Sequence, residues 1–242
     1  MAGLYGWPFL FPLVLPFNSR KMVNTAAYQQ LTEELSRKKV TLVAVSKIKP
    51  VPDIKKLYDL GQRDFGENYV QELVDKQPQL PADIRWHFIG HLQSNKVKYI
   101  APFVHLIHGV DSQKLLKEID KQAAKLGRVI PVLLQVYIAK EESKFGLDAA
   151  EVETVLTAPE TASFKNIRIE GLMGMASFTS NTEAVREEFR TLKALADRWA
   201  PHITENIQLK TLSFGMSGDY PLAIEEGSNM VRIGSLLFGA RN

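Results

Sequence analysis

The feature that most constrains the fold is a regular alternation of apolar, β-branched runs with amphipathic helical patterns from Val40 to the C-terminus. Such alternation is typical of parallel strands joined by helical crossovers. About eight units of this kind fill the length that a closed (β/α)8 barrel needs. We therefore predict an α/β fold consisting of a single (β/α)8 TIM barrel, with an open, doubly wound sheet as the competing architecture.

The predicted elements follow from hydrophobic periodicity and from residues that start or stop helices. Pro52 stands near the start of one helical pattern and Gly61 at its end, while Gly127 closes the clearest amphipathic helix. The predicted strands are 40–47, 63–66, 85–90, 103–110, 129–137, 167–173, 208–214 and 229–233. The predicted helices are 28–38, 52–61, 67–75, 92–100, 112–126, 148–156, 182–199 and 220–226.

The N-terminal segment differs from the rest of the 242-residue chain. Residues 7–17 are apolar, but three prolines interrupt them and prevent a stable helix. We expect residues 1–21 to be a disordered or non-native extension, with Met22 as the natural start and the barrel over 22–242. A divergent signal peptide is the alternative, although the basic residues of this segment follow the apolar run instead of preceding it.

Composition and charge exclude several classes of partner. Charged residues make up 24% of the chain and the net charge is +3, with bases interleaved among acids, as on a solvated surface. The apolar N-terminal run is too short to span a membrane. We expect a cytoplasmic, monomeric protein that binds neither nucleic acid nor membrane.

No metal site is expected from the sequence. The chain contains no cysteine, so thiolate ligands and disulfides are unavailable. His87 and His91 are four residues apart, but Gly90 and the strand context argue against a helical zinc pair. His105 and His108 are interpreted as ordinary residues at the end of a strand.

Lys47 is the first candidate site residue. It ends the β-branched run that begins at Val40, and alternation places Val43, Val45 and Lys47 on one face of that strand. A poorly solvated lysine has a lowered pKa, and its neutral amine can form a Schiff base with a carbonyl compound. The alternative is a lysine that has reached solvent at the end of the strand.

The loops after the last two strands form the second candidate feature. In (β/α)8 barrels these loops commonly hold phosphate groups. Ser217 and Gly218 follow the seventh strand, and Gly234 and Ser235 follow the eighth. Backbone N–H groups at such turns bind anions, although each turn taken singly is a common one.

Arg232 lies on the same strand face as Met230 and Gly234, so it is predicted to face the barrel interior near the same ligand. A buried guanidinium needs an acceptor. The alternative to a ligand is a buried ion pair with an acid such as Glu225 or Glu67.

A lysine on the first strand and a phosphate site after the last two match pyridoxal 5′-phosphate (PLP), which carries an aldehyde and a phosphate on one flat ring. The sequence also resembles the pyridoxal phosphate homeostasis proteins, from about Val40 to Arg241. Five blocks carry the resemblance: AVSKIKP at 44–50, FGENYVQE at 65–72, WHFIGHLQSNK at 86–96, GLMGM at 171–175 and GMSGDYPLAIE at 215–225.

The resemblance implies a barrel like the N-terminal domain of alanine racemase, with PLP bound to Lys47. It further implies that Arg232 faces the pyridine nitrogen, that four positions belong to the phosphate-binding loops and that three line the cofactor. The implied cofactor-binding residues are Lys47, Asn68, His91, Met173, Ser217, Gly218, Arg232, Gly234 and Ser235. Two departures are Ile48, where the family more often has threonine, and a short helical region after Met22.

Two functional classes follow: a protein that binds, buffers and delivers PLP to PLP-dependent apo-enzymes, and an amino-acid racemase or related enzyme. A two-base racemase needs an acid–base group on each face of the cofactor. In the alanine racemase pattern the second group comes from a C-terminal β domain, for which the sequence offers no room. A cation at Arg232 would also oppose pyridine protonation, so we expect a carrier without catalytic residues.

Overall fold

The computed structural model describes residues 23–139, 145–202 and 204–239, and in these residues eight parallel strands close into a barrel in sequence order. The predicted (β/α)8 fold is therefore confirmed, and the open sheet is excluded because β1 pairs with β8 as well as with β2. The predicted extension over 1–21 lies outside the described residues.

The boundaries of the elements agree with the predicted pattern to within a few residues. The strands are β1 Thr41–Val45, β2 Asp64–Glu67, β3 Arg85–Phe88, β4 Leu106–Val110, β5 Ile130–Val136, β6 Ile167–Gly174, β7 Ile207–Met216 and β8 Met230–Ile233. The helices are α1 Thr25–Arg37, α2 Val51–Asp59, α3 Val70–Lys76, α4 Val97–Ile100, α5 Gln113–Lys125, α6 Ala149–Thr157, α7 Pro159–Ser163, α8 Thr182–Trp199, α9 Tyr220–Glu225 and α10 Ser235–Phe238.

Three local differences from the sequence prediction have structural reasons. The helix predicted over 92–100 is a 3-10 turn, Ser94–Lys96, followed by the single turn of α4. An additional short helix, α7, begins at Pro159, which fits the first turn of a helix but ends α6. Strand β1 ends at Val45, so Lys47 lies in the turn beyond it and not on the strand.

The core has two layers, as strand alternation requires. Leu42 and Ala44 point outward into the large apolar layer between strands and helices, whereas Val43 points into the barrel. The inner layer is a small cluster formed by Val43, Leu106, Leu133, Met173 and Met230. The strands thus present separate faces to the helices and to the barrel interior, where Arg232 shares the face of Met230. Within the described ranges no helix is long and apolar enough to cross a membrane.

Candidate functional site

The carboxyl ends of β1, β7 and β8 bring the lysine turn and the two glycine-serine loops to one end of the barrel. Strand β1 lies beside β8, with Val43 opposite Arg232. The N–H group of Gly234 donates a hydrogen bond to Ser217 Oγ at 3.3 Å, so the loops after β7 and β8 are in direct contact. The structure therefore places Lys47, Ser217 and Gly234 on one rim, and their binding roles stay predictions.

A buried ion pair holds the backbone that precedes Lys47. Lys76 Nζ donates to the carbonyl oxygen of Ser46 at 2.9 Å and to Glu67 Oε1 at 2.8 Å. Ser46 Oγ donates to the same carboxylate oxygen at 2.6 Å. Both charged residues are buried. The half-buried Lys47 thus follows directly after a residue that is fixed through its side chain and its backbone.

The backbone that follows Lys47 is fixed by Glu72. Its Oε1 atom accepts a 2.6 Å hydrogen bond from the N–H group of Ile48, and the same atom accepts a 2.6 Å bond from Lys76 Nζ. Farther along, Lys49 Nζ donates to the carbonyl oxygen of Phe238 at 2.9 Å, which ties the turn to α10. The lysine turn is therefore held from both sides by α3 and by the last helix.

Ile48 adopts a left-handed backbone conformation, with φ of 62°, although it is β-branched and 65% exposed. This conformation costs an L-residue roughly 1–2 kcal/mol, whereas glycine adopts it freely. We expect Ile48→Gly to be more stable than Ile48→Ala by about 1 kcal/mol, because both variants lose the same exposed side chain and only alanine keeps the strain. Urea unfolding of the two variants measures this difference, and an alanine variant of equal or greater stability would contradict it.

Arg232 is buried inside the barrel, as predicted, but its partners are neutral. Its guanidinium donates to the carbonyl oxygen and the Oγ of Ser213, both at 2.6 Å, and to the carbonyl oxygen of Gly174 at 2.9 Å. The alternative of an ion pair is wrong: Glu225 pairs with Arg186 and Glu67 with Lys76.

The electrostatic state of Arg232 follows from this setting. Burial lowers the pKa of Arg232 to about 10, and the negative charge of Asp219 acts in the opposite direction. The guanidinium therefore remains a cation at neutral pH. A cation with only neutral hydrogen-bond partners inside a barrel is well suited to face an electron-rich atom of a ligand.

The remaining implied cofactor residues occupy two different positions. Met173 lies in the inner cluster of the barrel. Asn68 and His91 follow β2 and β3 and line a common groove on the rim. His91 Nδ1 lies 3.1 Å from Asp111 Oδ2, and its ring stacks on Phe145 at 5.2 Å between centroids. The structure brings these residues to the same end of the barrel as Lys47, with His91 exposed on the outer rim.

The donor set on the rim suits a phosphate group. The first intrahelical bond of α10 runs from Leu237 N–H to Gly234 O at 3.0 Å, so the N–H group of Ser235 precedes it and is available to an anion. The hydroxyl groups of Ser217 and Ser235 lie in the same two loops. A Cβ atom added to Gly218 would meet nothing within 4 Å, which leaves space beside these donors. An amine, a set of donors suited to phosphate and a buried cation together fit an aldehyde-bearing aromatic phosphate.

Sequence reasoning missed the partners of Arg232. His108, interpreted as an ordinary strand-end residue, is fully buried in β4, and its Nδ1 lies 3.1 Å from Ser213 Oγ. His87 Nδ1 in turn lies 2.9 Å from His108 Nε2. Alternation along β4, which places His108 on the face of the inward-pointing Leu106, is the one signal that points to this position.

Comparison with known proteins assigns the class and then the family. The family model for the alanine racemase N-terminal domain matches residues 24–242. A pyridoxal phosphate homeostasis protein of Aquifex aeolicus is 41% identical over 201 residues, which are 83% of this chain and 86% of the relative. The chain belongs to the family of pyridoxal phosphate homeostasis proteins.

Solved structures agree with this assignment. PipY of Synechococcus elongatus with PLP bound is 36% identical, with a TM-score of 0.79 and coverage of 88% of this chain and 100% of that one. An alanine racemase of Clostridium difficile is only 14% identical, with a TM-score of 0.72. The match covers 91% of this chain and 61% of the racemase chain. The second likeness concerns the fold alone.

Proposed function

We propose that this protein binds pyridoxal 5′-phosphate as a Schiff base on Lys47 and serves vitamin B6 homeostasis. The observation that carries the proposal is the hydrogen bond between Gly234 and Ser217, which joins two loops suited to phosphate beside the strand that leads to Lys47. Related proteins support it, since relatives are named pyridoxal phosphate homeostasis proteins and the PipY structure contains PLP.

Each residue of the proposed site has a distinct task. Lys47 supplies the amine, while Ser217, Gly218 and Ser235 hold the phosphate through hydroxyl and backbone N–H donors, and Gly234 joins the two loops through its N–H bond to Ser217. Asn68, His91 and Met173 would line the cofactor in this proposal.

Arg232 determines what the bound cofactor can do. When bound, PLP supplies an electron sink whose strength depends on protonation of the pyridine nitrogen. A guanidinium facing that nitrogen opposes its protonation, because two like charges would then lie in contact. The chain is therefore suited to hold PLP without turning over amino acids.

The proposed role is buffering of PLP and its delivery to PLP-dependent apo-enzymes. The protein acts as a cytoplasmic monomer in this proposal. A half-buried lysine at the mouth of the barrel, and not in its interior, is accessible to an acceptor that takes over the aldehyde.

The carrier role predicts negligible proton exchange on free amino acids. We expect the PLP-loaded protein to incorporate solvent deuterium at Cα of alanine or serine, and the rate should exceed that of free PLP by less than about 10²-fold. This acceleration is smaller than the usual contribution of one positioned acid–base group. Mass spectrometry of the amino acids measures this exchange, with Lys47→Ala plus free PLP as the control. Rapid exchange with inversion would defeat the carrier role and favour a racemase.

A further inference from the structure

A continuous chain of hydrogen-bonding side chains crosses the barrel interior from Arg232 to the amino-terminal end of the sheet. Arg232 donates to Ser213 Oγ at 2.6 Å, and Ser213 Oγ lies 3.1 Å from His108 Nδ1. His108 Nε2 lies 2.9 Å from His87 Nδ1, and His87 Nε2 lies 3.0 Å from Asp64 Oδ1. These hydrogen bonds therefore join a buried cation to an anion through three side chains that can be neutral, which are located on β7, β4 and β3.

The direction of the chain follows from its ends. Burial raises the pKa of Asp64, but hydrogen bonds from His87 and Arg85 outweigh burial and hold it at about 2, so the carboxylate only accepts. Burial keeps the pKa of His108 well below its ordinary value, so that ring is neutral. A neutral His87 that donates to Asp64 carries its one proton on Nε2, so its Nδ1 accepts and His108 donates from Nε2 as well. Ser213 then donates its proton to His108 and accepts from Arg232.

Among the described residues, charged groups lie near both ends of this hydrogen-bonded chain. At the amino-terminal end, Arg85 Nε donates to Asp64 Oδ1 at 2.7 Å, and the rings of His87 and His105 lie 5.4 Å apart. Ligand atoms of Asp64, His87 and His105 lie within 4.8 Å of one another, but a metal ion there would compete with Arg85, which contacts both carboxylate oxygens. At the other end, Asp219 acts on Arg232.

We propose that Asp64, His87, His108 and Ser213 form a positioning relay in which Asp64 sets the direction of the hydrogen bonds that reach Arg232. The relay rests on the proposed function in one respect: it acts on the cofactor only through the guanidinium. Every hydrogen bond of the relay is donated in the direction of Asp64, so Ser213 Oγ gives its proton to His108 and keeps its lone pairs for Arg232. The acceptor oxygen thereby fixes the orientation of the guanidinium. Asp64 at one end of the barrel thereby fixes the orientation of the cation that a ligand meets at the other.

Asp64→Asn is expected to reverse the donor-to-acceptor direction of the hydrogen bonds in the relay. The amide can donate to His87 Nε2, which moves the proton of His87 to Nδ1 and that of His108 to Nδ1 in turn. Ser213 Oγ then receives bonds from both His108 and Arg232 and holds the guanidinium less firmly. His105→Gln is the matched control, because His105 lies against His87 without belonging to the chain.

The first experiment uses the cofactor-free protein and reads the tautomers of its histidines. Nitrogen-15 NMR at mildly alkaline pH is expected to show Nε2–H at both His87 and His108 in the wild type and in His105→Gln. It is expected to show Nδ1–H at both in Asp64→Asn. Nδ1–H at His108 in the wild type would overturn the proposed direction of the hydrogen bonds. This result requires only the wild-type protein, so it does not depend on whether a variant folds.

The second experiment follows the visible Schiff-base band of the PLP-loaded protein against pH. Removal of the remote anion leaves more positive charge near the cofactor, so the pH midpoint of the band should fall by about half a unit in Asp64→Asn. Ser213→Ala, which cuts the chain beside Arg232, should shift it in the same direction, and His105→Gln should not. Unchanged midpoints in both variants would overturn the relay. Absence of the band in the wild type, with tautomers as expected, would instead overturn the proposed function.

Discussion

Lys76→Met is expected to lower the free energy of unfolding by about 3–5 kcal/mol, because it leaves a buried carboxylate without its counter-charge. Glu67 is 0% exposed, and its Oε2 atom has no hydrogen-bond partner among the described residues. Its Oε1 atom receives the bonds from Lys76 and Ser46. Loss of the ammonium therefore removes most of what compensates for burial of the charge, and it also releases the carbonyl oxygen of Ser46 beside Lys47.

The pH dependence of this loss has a definite sign. Burial raises the pKa of Glu67 above its ordinary value of 4.5, against the opposing charge of Lys76. The native state therefore binds this proton more tightly than the unfolded chain, and a protonated Glu67 no longer needs a cation. We expect the destabilisation to be full at neutral pH and to shrink as the pH falls toward 4.5. It should also shrink in the double variant with Glu67→Gln.

Urea unfolding of the wild type, Lys76→Met and the double variant at several pH values measures both effects. A loss below about 1 kcal/mol, in the range of exposed ion pairs, would contradict the account of this pair. A loss that is the same at every pH would show that packing of the lysine chain, and not its charge, is what matters.

Gly218→Asp is expected to weaken PLP binding by about 100-fold, since it places a carboxylate beside the proposed phosphate site. The backbone tolerates a side chain there, because a Cβ atom would meet nothing within 4 Å. Repulsion between a carboxylate and a phosphate dianion a few ångströms apart amounts to about 2–3 kcal/mol in a partly solvated site.

Gly218→Asn is the matched control, since asparagine has the shape of aspartate without its charge. Titration of each variant with PLP, followed by absorbance, gives the two affinities. The aspartate variant should bind at least tenfold more weakly than the asparagine variant, and the difference should narrow at high salt. Equal affinities for the two variants would place the phosphate elsewhere.

The sequence was sufficient to predict the barrel because each strand and helix carries its own local pattern. The helix over 182–199, for example, is α8 with the same boundaries, since Asn181 caps it and its apolar stripe is continuous. The position of Lys47 was less predictable. Strand β1 ends at Val45, and the left-handed backbone of Ile48 turns the chain immediately after the lysine. A β-branched residue gives no local warning of such a conformation.

The contacts around Arg232 could not be predicted for a different reason. His108 and Ser213 are 105 residues apart and meet across the barrel interior, so their contact depends on how strands of the closed sheet face one another. Lys76 directly follows the helix predicted over 67–75, and it reaches back over nine residues to Glu67. Local periodicity identifies which face a residue occupies, but not which partner it meets on that face.

Borohydride reduction of the PLP-treated protein, followed by peptide mapping, tests the central claim most directly. Reduction converts a Schiff base into a stable amine, so the mass of a pyridoxyl phosphate group marks the lysine that held the cofactor. Lys49, two residues away and bonded to Phe238 O at 2.9 Å, is the internal control. We predict an adduct on Lys47, its loss in Lys47→Ala and its retention in Lys49→Ala. An adduct on another lysine with Lys47 unmodified would contradict the assignment of the site.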